Sequence, residues 1–178
     1  MGMCKSQSTN NNNFADSLKR STTNTNVEFN EKAFKEMFGD KLIDNKQTQL
    51  DTSELKDSTI IGILFSASWC PPCKIFVPKL ITYYNEVNST GNKLKIVFIS
   101  SDKNKTEFYE NFKTHPWLAI DFTDVLYIDK LKRLFNVKGI PKLVLVKKDF
   151  SLISTEGKEL IQKNYSIEAL ISLRRNSV

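Results

Sequence analysis

Apolar residues first recur at helical spacing at Phe34, Met37 and Phe38, and Gly39 is placed to end the turn. This predicts a short helix over about 31–38. The segment Lys41 to Leu55 alternates weakly around Asn45 and Lys46, as two short strands or a hairpin would. From Thr59 the pattern strengthens into an apolar strand (about 59–66), a helix (about 72–88) and a second strand (about 94–100). Such a βαβ crossover makes parallel sheet. In the helix Phe76, Leu80, Tyr84 and Val87 are expected to form the core stripe, and Pro78 to kink it because it lacks a backbone donor. Asp102 is placed to cap a third helix (about 103–113) that turns Phe108 and Phe112 inward. Ile120 and Phe122 suggest a short strand, and Tyr127, Leu131 and Leu134 a helix over about 124–135. Leu143 to Val146 and Leu152 to Thr155 then predict strands joined around Asp149. A last amphipathic helix should bury Ile167, Leu170 and Ile171.

Composition limits what this chain can be. Its 178 residues, 40% of them hydrophobic, suit one domain, expected over 27–178. Residues 1–26 are rich in Asn, Ser and Thr, including Asn10 to Asn13, and are expected to form a disordered arm. They carry no apolar core of a secretory signal, so the expected compartment is the reducing cytosol. The longest apolar stretch, Ile60 to Phe65, falls far short of the roughly 20 residues a spanning helix needs. The net charge of +6 is concentrated from Lys130 to Lys148, where every charged residue is basic. A solvated face explains this most simply, then an acidic protein partner or anionic lipid headgroups. No motif of a nucleic-acid binder accompanies it, so nucleic acid is not an expected partner.

Candidate chemistry centres on Trp69-Cys70-Pro71-Pro72-Cys73. A structural zinc site needs four ligands, and the only other candidates are Cys4 in the arm and His115, so no metal is expected. Two inert core cysteines would not be separated by two prolines inside a helix. Thiol redox chemistry is the third reading. With a strand ending before Cys70 and a helix starting at the prolines, Cys70 sits at a helix N-terminus, where backbone donors and the macrodipole favour a thiolate. Cys70 is therefore the attacking thiol. Pro71 and Pro72 stiffen the turn so that the sulfurs stay close, and Cys73, one turn in, is the more buried partner.

The stretch Phe65 to Cys73 (FSASWCPPC) resembles the active-site signature of tryparedoxins and nucleoredoxins, a branch of the thioredoxin superfamily. Val97 to Asp102, Pro116 to Ala119 and Leu134 to Val146 resemble segments of those proteins in the same order. The resemblance implies a three-layer α/β thioredoxin fold with a central mixed sheet and protein-disulfide reductase activity. It matches Cys70 to the nucleophile, Cys73 to the resolving thiol and Trp69 to an aromatic shield over the disulfide, a plain core Trp being the alternative. Ile140-Pro141 matches a cis-proline loop that presents backbone to an extended substrate. Trp117 is expected near the site or simply in the core. Two positions depart from the family pattern. Leu64 stands where ordinary thioredoxins place a buried Asp, which leaves the proton route of Cys73 open. Lys142 replaces a common Thr and either stabilises a thiolate or points to solvent.

Disulfide-bearing proteins are the expected substrates, and no metal or organic cofactor is required. An external dithiol or flavoprotein reductase must restore the dithiol. A redox-responsive adaptor that binds a signalling partner without turnover is the alternative. Met1-Gly2-Met3-Cys4-Lys5-Ser6 fits a myristoylation pattern at Gly2, with Cys4 available for palmitate. The protein is thus expected to be tethered to the cytosolic face of a membrane.

Overall fold

The computed structural model describes residues 28–173. The polar arm, and Gly2 and Cys4 within it, lie outside the described residues. Helix α1 (Glu31–Phe38) buries Ala33, Phe34, Met37 and Phe38, is capped by the Asn30 side chain, and stops at Gly39, whose φ is +82°. A hairpin of β1 (Lys41–Ile43) and β2 (Gln49–Asp51) follows, then a 3₁₀ turn at Thr52–Leu55. The βαβ unit comprises β3 (Ile60–Ser66), α2 (Pro71–Asn88) and β4 (Leu94–Ser100). Next come α3 (Lys105–Phe112), β5 (Leu118–Ala119), α4 (Val125–Leu134), β6 (Lys142–Lys147) and β7 (Leu152–Ser154). Helices α5 (Gly157–Gln162) and α6 (Ile167–Ser172) complete the described chain.

One mixed sheet takes all seven strands in the order β2-β1-β5-β4-β3-β6-β7. Strands β3, β4 and β5 run parallel, whereas β6 is antiparallel to β3. Alternation along β3 divides the core. Ile60 and Leu64 face the layer of α2, α3, α5 and α6, while Ile61, Ile63 and Phe65 face α1 and α4. Both faces are therefore covered, as a near-continuous apolar strand requires. The result is the expected three-layer thioredoxin fold.

Several expectations need correction. The fully buried stripe of α2 is Phe76, Leu80 and Tyr83; Tyr84 is half-buried because i+8 overshoots the face to which i+7 returns, and Val87 packs half-buried against the same core near the helix end. The helix itself spans the expected residues, with Pro78 inside it. Asp102 does not cap α3. Asn104 does, accepting the Glu107 N–H at 2.9 Å while Glu107 accepts from the Asn104 side chain. The strand expected at Ile120 and Phe122 lies at Leu118–Ala119, because Asp121 accepts the Thr123 N–H and turns the chain there. The C-terminal segment holds two helices, not one. Helix α5 approaches β6 at Gly157, where a Cβ would lie 2.8 Å from the Leu143 carbonyl oxygen, so any side chain would push the helix off the strand.

Candidate functional site

Strand β3 delivers the chain to the Cys70 turn, and β4 anchors that turn from beside it. Cys70 is the N-cap of α2, in extended backbone at φ −89° and ψ 113°. Its carbonyl accepts the N–H groups of Cys73 at 3.0 Å and Lys74 at 3.1 Å. Pro71 and Pro72 occupy the first two helical positions and leave no amide there unpaired. They also subtract donors that a thiolate could have used. The Cys70 sulfur therefore keeps the helix macrodipole but loses part of the local N–H cradle expected from its position.

Both cysteines are free thiols and buried, Cys70 at 4% exposure and Cys73 at 1%. Burial, and then a hydrogen bond with Cys70, push the Cys73 thiol up to about 11, against the opposing influence of the Ser66 hydroxyl. Cys73 thus holds its proton and donates toward Cys70. The polar contact across the site is from the Cys70 sulfur to the Ile140 carbonyl at 3.6 Å, and Ile140–Pro141 is a cis peptide. The antiparallel register that places Lys142 opposite Phe65 brings this loop over the cysteines.

The two tryptophans separate. Trp69 is 46% exposed and donates its indole N–H to the Ser101 carbonyl at 2.9 Å, so it is a pinned rim residue rather than a core Trp. Trp117 is buried in the core, edge-on to Tyr84 and beside His115.

Four residues that sequence reasoning did not place at the site are Asp102, Ser66, Ile75 and His115. Buried Asp102 accepts the Ser68 N–H at 2.6 Å and the Ser100 hydroxyl at 2.8 Å, and so ties the turn before Cys70 to the end of β4. Ser66, two residues beyond Leu64 on the same strand face, bonds to Cys73; that spacing was readable in the sequence. Ile75, five residues after Cys70 on α2, is an apolar side chain left 64% exposed. His115 shares with Cys73 and Ser66 the wall of a groove of about 570 Å³ between α2 and α3. Among the described residues there is no cluster of three metal-ligating side chains, and no helix long and apolar enough to cross a membrane.

His115 gives the fold a pH dependence. It is 1% exposed, its Nδ1 finds no partner among the described residues, and burial pulls its pKa down to about 4, against a smaller opposing effect of Asp102. Between pH 6.5 and 4 the unfolded chain takes up this proton and the folded one does not, so stability falls as pH falls, by about 3 kcal/mol over the window. His115→Phe, set among Phe98, Phe112 and Trp117, should flatten that part of the curve. Urea denaturation of both proteins at pH 7 and pH 4 measures it; identical pH slopes would contradict it.

A cysteine pair opening the helix that follows a central strand, with a cis-proline loop packed against it, defines a thioredoxin-type site. The sequence model of the thioredoxin-like family matches residues 57–152. Nucleoredoxin of Danio rerio is 35% identical over 127 residues, covering 71% of this chain and 30% of that protein. A probable nucleoredoxin 1 of Arabidopsis thaliana is 39% identical over 130 residues, 73% of this chain and 22% of that one. This chain thus spans less than a third of the length of these relatives. Among solved structures, tryparedoxin II of C. fasciculata superposes with a TM-score of 0.70 at 29% identity, over 75% of this chain and 89% of that one. The chain belongs to the thioredoxin-like family, in its nucleoredoxin- and tryparedoxin-like branch.

Proposed function

We propose that this protein is a thiol-disulfide oxidoreductase that reduces protein disulfides by cycling Cys70 and Cys73 between dithiol and disulfide. The observation that carries this reading is the geometry of the pair: Cys70 caps α2 beside the Ile140 carbonyl, while Cys73 lies one turn deeper, its thiol pushed up by burial and by its hydrogen bond with Cys70. Cys70, as thiolate, attacks one sulfur of a substrate disulfide. That S–S bond breaks, the leaving sulfur departs as a thiolate that solvent protonates, and a mixed disulfide forms. Cys73 then loses its proton to water in the adjoining groove, the Ser66 hydroxyl donating to the thiolate that forms, and attacks the Cys70 sulfur. The second substrate sulfur leaves as a thiolate and is protonated in turn. Two electrons have passed to the substrate, and an external dithiol or flavoprotein reductase returns them. The substrate lies extended along the Ile140–Pro141 backbone, under the rim formed by Trp69.

The test is dithiothreitol-driven reduction of insulin disulfides. Many turnovers per protein molecule, above the dithiothreitol background, are expected. Binding without turnover would refute the reductase reading and favour an adaptor.

We further propose that the protein is held at the cytosolic face of a membrane by myristate on Gly2 and palmitate on Cys4, from the pattern Met1 to Ser6. One myristoyl chain binds only marginally, with a constant of ~10⁴ M⁻¹, so the second chain is needed for stable attachment. On fractionation Gly2→Ala should become soluble and Cys4→Ser bind weakly and reversibly. A wholly soluble wild type would refute the anchor alone.

A further inference from the structure

The seven basic residues between Lys130 and Lys148 do not share a face. Lys130 donates to the Glu36 carbonyl, and Lys132 and Arg133 end α4, where cations suit the helix dipole. Lys147 pairs with Ile60, at the end of β6 remote from the cysteines. Lys138 and Lys142 alone bracket Pro141. With Lys158 they line a shallow groove of about 380 Å³ that begins at Pro141 itself, next to the Ile140 carbonyl that meets Cys70. Its three lysines face two carboxylates, Glu159, paired with Lys158 at 3.3 Å, and Glu156, which accepts the Thr155 hydroxyl at 3.0 Å, so the lining keeps an excess of positive charge. Among the described residues neither Lys138 nor Lys142 has a carboxylate within ion-pair distance. Gly139, between Lys138 and Ile140, has open space where a side chain would stand, so the backbone there can be approached closely. Across Cys70, on the β4 side, the rim is instead the exposed indole of Trp69, held on the Ser101 carbonyl.

The geometry points to an asymmetric substrate filter. The Cys70 site selects protein segments whose cystine is flanked by a carboxylate on the side that lies over Pro141, where Lys138 and Lys142 meet it, and by an apolar residue on the side of Trp69. This rests on the reductase reading above and names its substrate class. The paired lysines supply charge complementarity, and continuity of the groove with Pro141 fixes which flank of the substrate they meet. Exposed charges of this kind act chiefly on encounter and on KM, and salt screens them.

The experiment compares two synthetic disulfide peptides of one sequence, differing only in Glu or Lys at the position flanking the cystine, with dithiothreitol as reductant. At low ionic strength the wild type should favour the Glu peptide in kcat/KM by about tenfold, the sum expected of two exposed ion pairs, and the difference should lie in KM. It should shrink toward unity at high salt. The variant K138E/K142E should invert the preference. The ratio of two peptides on one protein does not depend on how much of that protein is folded, so a poorly folding variant still reports. Equal use of both peptides at low salt, or a preference unchanged by the charge reversal, overturns the filter while leaving the reductase reading standing. Failure to reduce either peptide overturns both.

Discussion

Cys73→Ser protein mixed with a disulfide-bonded protein should accumulate a covalent adduct through Cys70, and Cys70→Ser should form none. The expectation comes from where the protons sit. Cys73 is the more buried sulfur, it holds its proton up to about 11, and its hydrogen bond reaches toward Cys70. Cys70 caps the helix beside the Ile140 carbonyl, where an incoming chain would lie. Without Cys73 the mixed disulfide has no internal thiol to resolve it, so the first step completes and the second stops. Without Cys70 the first step is absent, and turnover should fall to background, a loss on the order of 10³ or more. Non-reducing electrophoresis and mass spectrometry of the adduct read this directly. An adduct on Cys73 in the Cys70→Ser protein, with reductase activity retained, would reverse the assigned roles.

Asp102→Ala should cost about 3 kcal/mol of stability and slow turnover although Asp102 touches neither sulfur. Its carboxylate is the acceptor for the Ser68 N–H and the Ser100 hydroxyl, in a site where Asp102 is 8% exposed and Ser100 4%. Truncation removes the acceptor from both donors, and from the Asn111 side chain at 3.3 Å, and an unsatisfied buried donor costs about 1–3 kcal/mol. Ser68 stands two residues before Cys70, so the turn that presents the nucleophile loosens with it. Asp102→Asn keeps one acceptor oxygen and should lose less. Chemical denaturation with parallel turnover assays tests the pair. An Ala variant within about 0.5 kcal/mol of wild type would show that Asp102 does not anchor the turn.

Much of this fold was legible because its signals are local. The run from Ile60 to Ser66, the cysteine turn and the strand from Leu94 to Ser100 follow from apolar runs bounded by turn chemistry, and the structure places them within a residue or two of expectation. The hairpin ahead of them was legible for the same reason. Helix α5 was not. It is six residues long and opens on a glycine, a poor helix former whose reason for being there is the Leu143 carbonyl, a contact remote in sequence. Asp102 misled because aspartate ahead of an apolar-periodic segment is a good cap, and only the tertiary approach of Ser68 recruits it elsewhere. Asn104 and Glu107, at capping-box spacing, were the better local signal. At the site, the identity of the cysteines was readable and their surroundings less so. Trp69 and Trp117 are the same residue type in similar company, yet one is pinned at the rim and the other buried against Tyr84. The question raised by Leu64 had a partial answer within reach, since Ser66 shares its face of β3.

The central claim is that Cys70 and Cys73 pass two electrons to a substrate disulfide and become a disulfide themselves. Reduced protein, freed of all other reductant, is mixed with one equivalent of a protein disulfide, quenched with an alkylating agent and analysed by mass spectrometry. The account predicts that each substrate disulfide lost as two alkylated thiols is matched by one Cys70–Cys73 bond and by loss of both alkylatable thiols from this pair. Substrate reduction with Cys70 and Cys73 still fully alkylated, or no reduction with the pair left as thiols, would contradict it.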